Sequence, residues 1–96
     1  MPTFAQTDRF RRDFAGLTAA RKAAFRAAAA KFVVDIGAGT FRPGLRVKGV
    51  QGAAGVFEMT WAGDGRATFE YGSAVRVGET HVVWRRVGTH VILTRP

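Results

Sequence analysis

Between Phe57 and Tyr71, side chains that can bind phosphate or transfer protons alternate with apolar ones. The apolar positions are Phe57, Met59, Trp61, Ala67, Phe69 and Tyr71, and the polar positions are Glu58, Thr60, Arg66, Thr68 and Glu70. A period of two predicts a pair of half-buried β-strands. The segment His81–Arg86 repeats the pattern, which puts His81 and Arg85 on the polar face if Val82 and Trp84 are buried. The sequence therefore predicts an open sheet surface that carries carboxylates, guanidinium groups and imidazole.

These groups are the ones that RNA cleavage without a metal requires. The reaction needs a base for the proton of the 2′-hydroxyl, a cation on the phosphate and an acid for the leaving oxygen. The planar guanidinium of Arg66 suits phosphate better than an ammonium group does, and its alternative is a surface ion pair with Glu70 or Asp64. His90 titrates near neutral pH and can act as acid or base, or it can be a structural histidine of the closing strand.

Glu58 is the candidate base, and its expected role depends on strand register. A three-residue loop, Gly63–Gly65, pairs Trp61 with Ala67 and Met59 with Phe69. That register sets Glu58 opposite Glu70, and two carboxylates that share a site do not ionise together easily, so the pKa of Glu58 is expected to rise. The alternative is an ion pair between Glu58 and Arg85.

The chain is basic, with fifteen Lys and Arg against seven Asp and Glu and a net charge of +8. Residues 1–48 hold ten basic and three acidic side chains, so the excess lies in the N-terminal half. Such a charge is typical of proteins that bind a polyanion, although a solvated charged surface explains it as well. The candidate RNA-binding residues are Lys22, Arg26, Arg42, Arg46, Lys48 and Arg85.

Two short helices are predicted to support the polar surface from behind. The first runs from Asp8 to about Leu17 after a cap at Thr7 or Asp8, and the second begins after Thr18 and ends at Gly37 to Gly39. The second helix carries an apolar stripe of Phe25, Ala29, Phe32, Val33 and Ile36. Residues 41–49 are expected to form an extended connection. We therefore expect one α+β domain over residues 1–96, with a two-helix N-terminal hairpin packed on one face of a small antiparallel sheet.

Several classes of protein are excluded or disfavoured by composition. The chain has no cysteine, so it has no disulfide and no thiolate metal site. Two histidines with scattered acids give no metal-ligand spacing, and 96 residues leave no room for an enclosed cofactor, so neither is expected. No membrane span and no export signal are evident, and we expect a cytoplasmic protein. Trp61, Trp84 and Phe69 are predicted in the core rather than on an RNA-stacking surface.

Three passages resemble the RelE/ParE superfamily of bacterial toxin components. They are Leu45–Gly49, the hairpin from Val56 to Phe69 with Arg66 opening its second strand, and the closing stretch Trp84–His90. The resemblance implies that Arg66 is a catalytic arginine, that His90 occupies the C-terminal catalytic position, and that Arg46 and Lys48 contact RNA. Family members often have a tyrosine near the end, whereas here Val91, Ile92 and Leu93 follow His90.

The leading hypothesis is a ribosome-associated endoribonuclease toxin that cuts messenger RNA, contacts ribosomal RNA and is neutralised by an antitoxin protein. Two alternatives remain open at the level of sequence. One is a ParE-like inhibitor of DNA gyrase without enzymatic activity. The other is a basic RNA-binding relative that has lost catalysis.

Overall fold

The computed structural model describes all residues from Met1 to Pro96. The elements are β1 (Thr3–Gln6), α1 (Asp8–Ala15), α2 (Ala19–Ala38), a 3₁₀ turn (Pro43–Leu45), β2 (Lys48–Gly49), β3 (Val56–Thr60), β4 (Gly65–Gly72), β5 (His81–Thr89) and a C-terminal 3₁₀ segment (His90–Thr94). The connection over residues 41–49 is thus less extended than predicted, because the buried Leu45 pins the 3₁₀ turn to the core.

The five strands form one sheet in the order β1-β5-β4-β3-β2. The pairs β2–β3, β3–β4 and β4–β5 are antiparallel, as predicted. Strand β1 lies parallel to β5, so the sheet is mixed and the prediction of an antiparallel sheet is wrong at this edge. The parallel pairing leaves α1 beside the second half of β5, where the Asp13 carboxylate accepts a hydrogen bond from the Val87 backbone N–H at 3.3 Å.

Both helices begin where the sequence predicts and α2 ends there too, whereas α1 ends at Ala15, two residues before the predicted Leu17. Thr7 and Thr18 accept hydrogen bonds from the first turns of α1 and α2, and Gly39 ends α2 in the left-handed conformation at φ 85°. The buried residues of α2 are Phe25, Ala28, Phe32 and Asp35. Val33, which was predicted in this stripe, is 38% exposed. Successive residues of a helix point in different directions, and Phe32 is the one that faces the core. Neither helix is long and apolar enough to cross a membrane.

The core lies between the helices and one face of the sheet, and it is largely aromatic. Phe32 packs with ring centroids 4.9 Å from both Phe69 and Trp84, and Phe25 packs 5.6 Å from Trp84. Trp61, Trp84 and Phe69 are all buried, which confirms their predicted place in the core. The opposite face of the sheet therefore remains for the polar side chains.

The β3–β4 hairpin has the predicted faces but not the predicted register. Met59 pairs with Ala67, Phe57 with Phe69 and Glu58 with Thr68, two positions away from the expected pairing. A shift of two leaves each side chain on its own face. The register shifts because Gly65 belongs to β4 rather than to the loop. Gly65 lies against the Trp61 indole, where an added Cβ would be 2.5 Å from the ring. Glu58 consequently faces Thr68 and not Glu70.

Strand β5 contains a bulge that the sequence pattern does not reveal. Thr68 pairs with Arg86, whereas the next residue, Phe69, pairs with Trp84, so Arg85 is an extra residue in β5. The buried positions of β5 are accordingly Val82, Trp84 and Val87, with a step of three between the last two. The bulge keeps Val87 in the core after the interruption.

Candidate functional site

Arg66 lies at the start of β4, beside the β3–β4 turn, and its side chain is held by the backbone. Its Nη1 donates to the Gly65 carbonyl at 3.0 Å and to the Gly63 carbonyl at 3.4 Å. Its Nε lies 3.8 Å from Oε1 of Glu58. With 20% of the side chain exposed, the guanidinium is both positioned and reachable from solvent.

Glu58 is the counter-ion of Arg66 rather than a partner of Glu70 or Arg85. Its side chain is 9% exposed, and Arg66 is the cation with which it forms an ion pair. Glu70 instead pairs with Arg85 at 3.2 Å. The expected crowding of Glu58 by Glu70 is therefore wrong, since the register separates the two carboxylates. The alternative ion pair between Glu58 and Arg85 is also wrong, because β4 lies between their strands and Arg85 pairs with Glu70.

His90 begins the C-terminal 3₁₀ segment directly after β5 and faces the turn that carries Asp64. Its Nδ1 lies 2.5 Å from Oδ1 of Asp64, and 65% of its side chain is exposed. The hydrogen bond from His90 is the main cause that lowers the pKa of Asp64, with a smaller contribution from the charge of Arg66. Asp64 is thus ionised at neutral pH and accepts the Nδ1 hydrogen, which leaves Nε2 to exchange a proton with a ligand.

Asp64 is the residue of this cluster whose role the sequence did not reveal. The sequence indicates Asp64 only as a possible surface partner of Arg66, because nothing local connects it to a histidine 26 positions later. The contact forms because β4 and β5 pair Gly65 with Thr89, which brings the turn beside the start of the 3₁₀ segment. Arg66, Glu58 and the Asp64–His90 pair therefore meet at one end of the sheet.

A basic pocket of about 620 Å³ opens on the other side of the turn, between α2, the 3₁₀ turn and the end of β3. Four cationic side chains line it and no acidic one does; they are Lys31, Arg42, Arg46 and Arg66. The structure thus brings two predicted RNA-binding residues, Arg42 and Arg46, together with the predicted catalytic arginine. We call this space the basic pocket.

Arg42 helps to shape the basic pocket through a buried carboxylate on α2. Its Nε and Nη2 donate to the two oxygens of Asp35 at 2.8 Å each, and its backbone N–H donates to the same group at 2.9 Å. These hydrogen bonds lower the pKa of Asp35 to about 2. The pair fixes the chain that leads to Arg46, which has a left-handed backbone at φ 49° and donates its N–H to the Pro43 carbonyl.

Comparison with known proteins places this geometry within a known fold. The sequence matches no protein-family model and no curated protein. A chain of the E. coli DinJ–YafQ toxin–antitoxin complex has a TM-score of 0.69 at 12% identity, with 96% of both chains covered. The Methanococcus jannaschii RelB–RelE antitoxin–toxin complex gives 0.61 at 14% identity, with 96% of this chain and 99% of that chain covered. A metal-bound toxin from Helicobacter pylori gives 0.65 at 15% identity, with 95% and 97% covered.

The protein has the RelE-like toxin fold. Two helices on a five-stranded mixed sheet are common to it and to these toxins, so the predicted α+β architecture is confirmed. The RelE-like chain contains no group of three or more His, Cys, Asp or Glu side chains placed to hold one metal ion.

The remaining predicted RNA-binding residues of this RelE-like chain do not join the basic pocket. Lys48 lies opposite Glu58 in the register of β2 and β3, and it lines a separate cavity of about 390 Å³. Lys22 and Arg26 lie over the Phe14 ring at 5.6 and 5.2 Å. They remain cations on the helical side of the molecule.

Arg85 is also outside the pocket, and its charge is engaged. It pairs with Glu70, and its Nε donates to the Pro96 carbonyl at 3.1 Å. Thr68 donates to the same carbonyl at 3.0 Å, so the last residues cover this part of the polar face. The exposed polar surface is consequently smaller than predicted and is concentrated near the turn.

Lys31 is the pocket cation that sequence reasoning missed. It lies four residues after Ala27 and seven after Ala24, so all three share one helix face. The spacing could have linked Lys31 to these alanines, but the sequence does not tell that this face borders a cavity instead of solvent.

Proposed function

We propose that this RelE-like protein is a toxin that cleaves messenger RNA on the ribosome by attack of a 2′-hydroxyl on the neighbouring phosphate. The observation that carries the proposal is the meeting of Arg66, Glu58 and the Asp64–His90 pair at one end of the sheet, next to a pocket whose charged side chains are all cationic. These side chains include a phosphate-binding cation and two groups able to transfer protons.

Each residue has a role in the proposed reaction. Arg66 binds the scissile phosphate and stabilises the negative charge that grows on it in the transition state. Glu58 accepts the 2′-hydroxyl proton as the 2′-oxygen attacks phosphorus. His90 donates a proton from Nε2 to the departing 5′-oxygen, and Asp64 holds its ring through the hydrogen bond from Nδ1. The products are a 2′,3′-cyclic phosphate and a 5′-hydroxyl.

The proposal includes partners and a compartment. The solved structures DinJ–YafQ and RelB–RelE are complexes of a toxin with an antitoxin. We propose that this chain also binds a cognate antitoxin. Messenger RNA and ribosomal RNA are the proposed nucleic-acid partners, and the +8 charge favours both. A protein that acts on translating ribosomes works in the cytoplasm.

Single substitutions in a translating extract test the nuclease. Arg66→Ala and His90→Ala are each expected to slow message cleavage by ~10²-fold or more, because they remove the phosphate cation and the proton donor. Arg76→Ala is the matched control, since Arg76 is 72% exposed in the loop before β5 and its loss changes the charge equally. Cleavage and growth arrest that persist at the wild-type level in both variants would contradict the assignment.

The two alternatives give different outcomes in the same assays. A gyrase inhibitor would arrest growth with DNA-damage signalling while messages stay intact. An inactive relative would bind RNA with a steep salt dependence but yield no cut products. Either result would replace the nuclease proposal.

A further inference from the structure

We infer that the basic pocket is a subsite for a second nucleotide of the RNA, adjacent to the one whose phosphate lies at Arg66. The inference rests on the proposed function for the identity of the ligand as RNA. It assigns to Lys31, Arg46 and Trp61 a role in binding the chain beside the cleaved linkage. The cavity of about 620 Å³ is within the size range of small-ligand sites.

The charge in the basic pocket is only partly neutralised by the protein. Arg42 is paired with Asp35, and Arg66 has Glu58 at the longer distance of 3.8 Å. Lys31 and Arg46 line the pocket without forming an ion pair. Since no carboxylate lines the cavity, an anionic group that enters meets no repulsion and at least two unpaired cations.

The wall formed by α2 leaves room for a flat group. Ala24, Ala27 and Ala28 line this side, and Gly44 and Gly63 line the rim. A Cβ added to either glycine meets nothing within 4 Å, so the rim is open. A ribose and base can therefore approach the helix while their phosphate stays among the cations.

Trp61 contributes an apolar surface to the basic pocket. The residue lines the pocket and is 7% exposed, while its indole Nε1 is buried away from solvent. The part of the ring that borders the cavity therefore offers a nucleotide apolar contact rather than a hydrogen bond.

Arg66 connects the subsite to the reacting phosphate. It lines the basic pocket and also reaches toward Glu58, so one guanidinium belongs to both places. A nucleotide in the pocket is thus positioned next to the scissile linkage. Subsite variants are accordingly expected to raise KM for RNA more than they lower kcat.

Binding of an uncleavable RNA tests the subsite directly. The probe is a fluorescein-labelled six-nucleotide RNA with every 2′-hydroxyl methylated, followed by anisotropy at several salt concentrations. Lys31→Ala and Arg46→Gln should each weaken binding by about fivefold or more and reduce the slope of log K against log salt by ~0.7, as expected for one lost contact with a single strand. Arg9→Ala on α1, exposed and outside the pocket, is the charge-matched control.

A steric pair of variants removes the dependence on charge. Ala27→Phe fills the basic pocket, whereas Ala23→Phe adds the same bulk on an exposed part of α2 outside it. Both positions are exposed, so the fold should tolerate them, and circular dichroism checks this. We expect Ala27→Phe to weaken binding at least about tenfold and Ala23→Phe to leave it unchanged. Equal effects of Lys31→Ala and Arg9→Ala, or wild-type binding by Ala27→Phe, would overturn the subsite.

The outcomes separate the subsite from the nuclease proposal. If the wild-type protein cuts no message but the pocket variants lose probe binding, the nuclease proposal fails and the subsite stands. If cleavage depends on Arg66 and His90 while the pocket variants bind the probe normally, the subsite fails and the nuclease proposal stands.

Discussion

At the residue scale, the decisive contact is the one between Asp64 and His90. The chemistry of Arg66 and His90 could be read from residue type and resemblance, whereas their relation to Asp64 depends on pairing between β4 and β5. The partner of Glu58 was also unpredictable, because it depends on the hairpin register, and Gly65 lies in β4 rather than in the predicted loop. Residue types thus indicated the candidate groups, and the fold decided which of them lie together.

Asp64→Asn should impair cleavage without preventing RNA binding. The amide keeps the size of the carboxylate but is uncharged, so it accepts a weaker hydrogen bond from His90 Nδ1 and holds the ring less firmly. We expect kcat to fall by at least about tenfold, below the ~10²- to 10⁴-fold loss typical when an acid–base group is removed entirely. Single-turnover cleavage measures this, and Asp8→Asn, an exposed carboxylate of α1, is the control. Unchanged kcat in Asp64→Asn would show that His90 needs no partner.

The Asp35–Arg42 pair makes a prediction about acid stability. Because the folded protein lowers the pKa of Asp35 from 3.8 to about 2, the stabilisation is fully present above pH 4 and is lost as the pH falls toward 2. Asp35→Asn should lack this part of the pH dependence and should be less stable than the wild type at pH 7. Urea unfolding between pH 2 and pH 7 measures it. Parallel stability curves for the two proteins over that range would contradict the role of the pair.

At the scale of elements, patterning predicted more than pairing. The capping threonines and terminal glycines located both helices, and alternation separated the faces of β3 and β4. The parallel place of β1, the bulge at Arg85 and the register of the hairpin were not accessible, since contacts between distant segments determine them. The basic pocket is formed by α2, the 3₁₀ turn and the hairpin together, so no local sequence pattern predicts it.

An alanine substitution at Gly65 tests whether the close contact with Trp61 fixes the hairpin register. Gly65→Ala places a Cβ 2.5 Å from the Trp61 ring, so the indole or the strand must move. We expect a loss of ~1–3 kcal/mol in the free energy of unfolding, as for other overpacked sites. Gly63→Ala, whose Cβ would meet nothing within 4 Å, should change stability little. If the two alanine variants unfold at the same urea concentration, the Trp61–Gly65 contact does not fix the register.

At the scale of the whole molecule, positive charge and the candidate catalytic groups are distributed unevenly. The acids of the sheet are engaged by arginines, with Glu58 on Arg66 and Glu70 on Arg85. The unpaired cations belong mainly to the N-terminal half, as the sequence indicated, and Lys31 and Arg46 from that half reach the turn. In the proposed function, this charge attracts RNA toward Arg66, which lies at the boundary between the basic pocket and the Glu58 and His90 side chains.

The chemistry of the cut ends tests the central proposal most directly. A message with one 2′-deoxynucleotide at the cleavage position, and its all-ribose counterpart, are incubated with the protein in a translating extract, and the ends are identified. The account predicts a 2′,3′-cyclic phosphate and a 5′-hydroxyl from the ribose message, and no cut at the 2′-deoxy position. Cutting at the 2′-deoxy position, or products with a 3′-hydroxyl and a 5′-phosphate, would contradict it.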